Sequence, residues 1–220
     1  MSQLIFKFPF KTNYYDQDFY VSSNNFSTYK LIESWPNWPD KWINIYGPSG
    51  CGKTHLSNIL KRKINSLLIN AQNFKNSELV KIENYECIIL DSYQNNIDED
   101  LLYTLLNHSK QLNKYIVFNS LEPLSNMTVK LSDLKSRFKN FIEVGVELPT
   151  DELLRVIISK SFSERQINLN NRNLEFIIKN IDRSYDKVFQ FIKKIDNESL
   201  STGKSININL DGKQNYYFDA

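Results

Sequence analysis

Eight residues constrain this chain more than any others: Gly47-Pro48-Ser49-Gly50-Cys51-Gly52-Lys53-Thr54. They satisfy the pattern G-x-x-x-x-G-K-[ST] at every fixed position. They stand between an apolar run, Trp42-Ile43-Asn44-Ile45-Tyr46, and an amphipathic stretch from Lys53 to Lys63. A turn of this composition lets main-chain N–H groups converge on phosphate oxygens, which Cβ atoms at the glycines would obstruct. Lys53 offers positive charge to β- and γ-phosphates, the Thr54 hydroxyl offers a ligand to magnesium, and the helix that follows points its positive end at the same anion. The bland alternative, a Gly-rich turn that binds nothing, does not explain the strand before it or the helix after it. ATP or ADP with Mg2+ is the implied ligand.

Further apolar runs alternate with helix-sized segments. Ser66 to Asn70, Glu86 to Leu90, Tyr115 to Phe118 and Phe141 to Leu148 read as strands, and Asp98 to Asn113 reads as a helix. With Trp42 to Tyr46 this predicts a five-stranded parallel α/β sheet covered on both faces. An upstream helical stretch begins at Asn25 and stops before Pro36. After Pro149 the strand signal ends. Thr150 followed by Asp151 and Glu152 suits a helix start, and helices are expected over Asn171 to Asn180 and Ser184 to Asp196. The expected organisation is an extended segment 1–12, an α/β domain 13–149, a small helical lid subdomain 150–202 and a tail 203–220.

Cys87-Ile88-Ile89-Leu90-Asp91 is an apolar strand that delivers a carboxylate to the sheet's carboxyl edge, where Asp91 would join Thr54 in holding magnesium. An acid that merely ends a strand is the duller reading. Ser92 follows, and a serine cannot take a proton at neutral pH as a carboxylate can. The chain is therefore expected to bind nucleotide with at most weak intrinsic hydrolysis.

A net charge of +2 neither demands nor excludes nucleic acid. Phe6, Phe8 and Phe10 alternate with Lys7, Pro9 and Lys11, which is unlike a signal peptide. No apolar run approaches the roughly 20 residues of a membrane span. The two cysteines, Cys51 in the loop and Cys87 in a predicted buried strand, make no disulfide framework. A cytoplasmic protein is expected.

Taken together, the chain resembles the AAA+ module of the bacterial initiator DnaA, and most of all the short DnaA-related regulators of the Hda family. The loop continues as Gly52-Lys53-Thr54-His55-Leu56, and Ser132-Asp133-Leu134-Lys135-Ser136-Arg137-Phe138 matches the family's L-K/R-S-R-F box. The resemblance implies an AAA+ P-loop fold in which Phe19, Val21 and Asn25 flank the adenine and His55 lies beside the loop. It implies that Arg137 is an arginine finger acting in a neighbouring subunit's site; otherwise Arg137 is a surface arginine that pairs with an acid such as Glu143. Lys187, in Asp182-Arg183-Ser184-Tyr185-Asp186-Lys187-Val188, takes the place of the family's second sensor arginine. Asn119 or Ser120 takes the place of the first sensor. Gln3, Leu4, Phe6 and Phe8 look like the family's peptide for docking on the DNA polymerase sliding clamp, though an edge strand packed on its own domain fits their spacing equally. The tail is too short for the DNA-binding domain that DnaA carries.

The implied function is regulation of replication initiation: clamp docking, and stimulation of ATP hydrolysis by DnaA. Self-association into a homo-oligomer stays open. One rival is a helicase loader or DNA-remodelling ATPase acting on single-stranded DNA, which would need its own hydrolysis. Another is a small-molecule kinase, whose lid arginines would be clustered, whereas Arg155, Arg165, Arg172 and Arg183 are scattered.

Overall fold

The computed structural model describes residues 19–165, 167 and 169–202, with side chains through 197. The chain divides into two compact units, one ending at Glu147 and the other beginning at Leu148.

The first unit opens with α1 (Phe26–Glu33) and holds five strands: β1 (Trp42–Tyr46), β2 (Ser66–Asn70), β3 (Cys87–Tyr93), β4 (Tyr115–Ser120) and β5 (Ile142–Gly145). Their order is β2-β3-β4-β1-β5, and every pairing is parallel. Parallel neighbours require crossovers. These contain α2 (Lys53–Lys63), α3 (Asn76–Leu79), α4 (Glu99–Gln111) and α5 (Ser132–Phe138). The central strands are buried on both faces, so they read as apolar runs rather than as alternating ones.

Beneath one face lies an aromatic cluster. Phe118 is 5.3 Å from Tyr93 and 5.1 Å from Phe141, ring centre to ring centre, and Tyr93 meets Phe138 edge to face at 6.2 Å. Burial raises the Tyr93 phenol above its ordinary pKa, with the Glu99 carboxylate adding to the shift. Within β1, Asn44 is fully buried yet satisfied. Its amide nitrogen donates to Phe118 O (3.1 Å) and Ser120 Oγ (2.8 Å), and its oxygen accepts from Leu124 N (3.0 Å). That side chain ties β1 to the chain leaving β4.

Several boundaries differ from the sequence expectation. β3 continues through Asp91 to Tyr93 instead of ending at Leu90. Opposite β4 its pairing steps from Leu90↔Phe118 to Tyr93↔Ser120, three residues against two, which is a bulge. Ser92 sits in it with φ 60. β5 is only Ile142–Gly145, because those four residues are the ones that find partners on β1. α4 starts one residue later than expected, with Asp98 as its cap accepting from Leu101 N (3.0 Å). α5 was not expected as a helix at all; at seven residues it shows one i, i+4 apolar pair, Leu134 and Phe138, too little periodicity to stand out.

The second unit contains α6 (Asp151–Glu164), α7 (Asn171–Asn180) and α8 (Tyr185–Thr202), the last running past Asp196. Thr150 Oγ1 accepts from Leu153 N (3.2 Å) and Asn170 Oδ1 from Asn173 N (2.8 Å), so both helix starts are capped by side chains. Leu154, Ile158, Phe162, Ile177, Val188, Ile192 and Ile195 form its core. No described helix is long and apolar enough to cross a membrane.

Candidate functional site

The loop after β1 lies where the strand order turns, with β4 on one side and β5 on the other, the usual position for a ligand crevice at the carboxyl edge of such a sheet. Two of its glycines are required by their surroundings. Gly47 donates to Ser120 O (3.2 Å), and a Cβ there would stand 2.4 Å from Val146 O, inside the chain leaving β5. Gly52 has φ +99, and a Cβ there would lie 2.9 Å from the Phe19 ring. Gly50 lies between them with positive φ, exposed like Ser49 before it. Cys51 is buried within the turn; desolvation pushes its thiol pKa up, and the neighbouring Lys53 ammonium opposes that shift without cancelling it.

Lys53 bends back over its own loop, with Nζ donating to Gly47 O (2.7 Å) and Pro48 O (2.9 Å). These neutral acceptors hold the ammonium where an anion would meet it. One turn of α2 carries the next two groups. Thr54 Oγ1 donates to Asp91 Oδ2 (2.8 Å), and the other carboxylate oxygen accepts from Asn119 Nδ2 (2.7 Å), which also donates to Ser57 Oγ (2.7 Å). Thr54, Asp91, Asn119 and Ser57 thus form one connected cluster drawn from α2, β3 and β4. Asp91 and Thr54 are an all-oxygen pair at the loop, the donor set a hard cation such as Mg2+ accepts. The Asn119 Oδ1 atom is buried with no hydrogen-bond partner, a polar atom left over for the site.

Of the two residues at the end of β4, only Asn119 faces this cluster. Ser120 is committed elsewhere, its hydroxyl accepting from Asn44 and donating to Glu122 O (2.6 Å). Sequence inspection did not single out Ser57, although its i, i+3 spacing from Thr54 places it on the same helix face. Replacing Asn119 by Ala should destabilise the first unit by about 1–3 kcal/mol in urea unfolding, because Asp91 and Ser57 lose their shared donor.

Phe19 stacks on Tyr29 (5.8 Å) and meets His55 edge to face (5.3 Å), so these aromatic rings abut the loop. Val21 is half-buried in the turn that follows. Asn25 uses both ends of its amide on that turn, accepting from Ser22 N (2.9 Å) and donating to Tyr20 O (2.9 Å); in this structure it shapes the segment.

Arg137 does not pair with Glu143, whose carboxylate instead accepts from Ser125 N and Oγ (2.8 Å each). Arg137 Nη2 donates to Asn107 Oδ1 (2.6 Å), and its guanidinium lies 5.9 Å from the Tyr103 ring centre. It lines a cavity with Lys41 and Trp42, the residues entering β1, whereas the phosphate loop leaves the other end of that strand. Roughly 16 Å of strand separates the two.

Lys187 lies on α8 of the second unit, where Arg183 pairs with Asp151 (3.0 Å). Gln3, Leu4, Phe6 and Phe8, expected at a clamp, lie outside the described residues, as does the segment 203–220.

The fold is that of the AAA+ P-loop NTPases. Within that class the chain is similar to the initiator DnaA: it is 28% identical over 241 residues to the Buchnera aphidicola (subsp. Baizongia pistaciae) chromosomal replication initiator protein DnaA, covering 96% of this chain and 52% of that protein. An uncharacterized protein of Haemophilus influenzae is 26% identical over 208 residues, covering 87% of this chain and 89% of that one. Among solved structures, domain III of Thermotoga maritima DnaA superposes with a TM-score of 0.72 at 21% identity, covering 91% and 94% of the two chains. A replication initiator DnaA bound to AMPPCP and single-stranded DNA gives 0.68 at 22%, covering 83% and 64%. The chain spans about half the length of the DnaA relatives it matches. No family model matches it.

Proposed function

We propose that this chain is an adenine-nucleotide-binding AAA+ regulator of DNA replication initiation, which docks on the DNA polymerase sliding clamp and promotes ATP hydrolysis by DnaA through Arg137 acting in trans. The loop 47–54 would hold the phosphates of ADP or ATP, with Lys53 on the β- and γ-phosphates, Thr54 and Asp91 on magnesium, and the Phe19 segment beside the base. A bound magnesium ion would supply neutralisation of phosphate charge. Asn119 orients the Asp91 carboxylate, and Ser92, at the position after it, brings no second acid. Support for the nucleotide comes from the AMPPCP bound by a similarly folded DnaA.

The observation that carries the trans reading is the position of Arg137. It stands beside Lys41 and Trp42, a strand length from its own phosphate loop, and is braced by Asn107 and Tyr103, which orient the guanidinium without neutralising it. A finger so placed serves a phosphate on another molecule. Fingers of this kind contribute roughly 10³–10⁵ in rate where measured.

The test is hydrolysis of DnaA-bound ATP in the presence of DNA-loaded clamp. The intact chain should stimulate it, and Arg137→Ala should reduce stimulation to near background while the loop 47–54 still binds nucleotide. Equal stimulation by the variant would rule out the finger. Gln3→Ala with Leu4→Ala should abolish capture by purified clamp if the segment docks as proposed.

A further inference from the structure

The sheet unit concentrates positive charge at a second place, the amino-terminal edge of the sheet. A cavity of about 350 Å³ opens there, lined by Lys41 before β1, Lys110 in the last turn of α4, Lys114 before β4 and Arg137 of α5, with Asp40 as the acid among its lining residues. Three of the four cations are fixed by neutral acceptors. Lys41 Nζ donates to Asn113 O (3.0 Å) above the Tyr115 ring, Lys114 Nζ donates to Glu83 O (3.0 Å), and Arg137 is held by Asn107.

Among the described residues none of the four forms an ion pair with a carboxylate, whereas Lys63, Lys81, Arg155, Arg165 and Arg183 each have one. Carbonyl and amide oxygens position a cation without cancelling its charge, so among the lining residues Asp40 alone offsets four positive groups. Lys110 by itself has an ordinary explanation, since a cation suits a helix carboxyl end; that does not account for the other three lining the same cavity. Ser109 lines the same cavity, fully buried, and its Oγ has no hydrogen-bond partner. A buried hydroxyl in that state normally finds one.

We propose that this cavity is a second phosphate-binding site, separate from the loop 47–54, that takes an oligophosphate chain such as pyrophosphate or a triphosphate. Its volume lies at the small end of ligand pockets, roughly 300–1,000 Å³, which suits a short anionic chain and excludes a duplex. Lys110, the braced Lys41 and Lys114 and one planar arginine offer donors to several phosphate oxygens at once. The site needs no partner protein. It shares Arg137 with the proposed trans function but stands without it.

The experiment uses the full chain with Lys53→Ala, which weakens the phosphate loop about a hundredfold, titrated calorimetrically with sodium tripolyphosphate, ATP and adenosine. Tripolyphosphate and ATP should bind alike and adenosine not at all, with affinity falling as salt rises. Adding Lys110→Ala and Lys114→Ala together should weaken tripolyphosphate binding about tenfold or more with little change in thermal melting, because Lys110 is exposed and Lys114 gives up one exposed hydrogen bond to Glu83 O. An adenosine requirement, no binding to the Lys53→Ala chain, or unchanged affinity in the triple variant would each overturn the site. None of these results touches the DnaA assay, and loss of the finger reading would leave tripolyphosphate binding as it is.

Discussion

Lys53→Ala is expected to lower the affinity of the loop 47–54 for ATP and ADP by about two orders of magnitude while leaving the chain folded. The side chain is half-exposed; what it holds is two carbonyl oxygens of its own loop, Gly47 O and Pro48 O, and the Cys51 sulfur. Losing those contacts in the free protein is cheap, because water replaces the ammonium there. In the bound state the loss is of a charge-assisted bond to phosphate, worth about 1.5–3 kcal/mol, and each 1.4 kcal/mol is roughly a factor of ten. The measurement is calorimetric titration with nucleotide and magnesium, paired with urea unfolding in the absence of nucleotide. A dissociation constant within threefold of the unaltered chain would mean that the loop does not grip phosphate through Lys53.

Phe118→Ala should cost about 3–5 kcal/mol, a large part of the roughly 5–15 kcal/mol that holds a domain together. Phe118 is fully buried in β4 between β3 and β1, and its ring is wedged between Tyr93 and Phe141. Three strands and an aromatic cluster surround the void left by truncation, and a parallel sheet held at fixed register cannot close over it. Its neighbour Asn119 belongs to the cluster with Thr54 and Asp91 at the proposed phosphate site, so site and core share a strand. All three tryptophans, Trp35, Trp38 and Trp42, lie in the sheet unit, and their fluorescence reports its unfolding apart from that of the helical unit. A fall of less than 1 kcal/mol would place the packing centre elsewhere.

Much of this architecture was legible because its signals are local. A doubly covered strand must be continuously apolar, and a phosphate loop must have glycine where the main chain crowds. β1, α2, β2 and α7 accordingly fall where the sequence put them, and Asp91 stands next to Thr54, although within β3 and not at its end. The less legible features are those set by partners far along the chain. The bulge that carries β3 on to Tyr93 exists only because β4 pairs with it two residues for three. Of Asn119 and Ser120, only Asn119 is left to the cluster, because Asn44, more than seventy residues away, claims Ser120.

The amino-acid order alone therefore determined the kind of sheet, the turn that could receive phosphate and the change to helices after Pro149, since each follows from neighbours within a few residues. Tertiary structure decided which carboxylate oxygen meets Thr54, which end of β4 serves the site, and that Arg137 stands with three lysines at the far edge from its own loop. Charges separated by tens of residues acquire a common field only when the chain brings them together, and no spacing rule within the sequence encodes that approach.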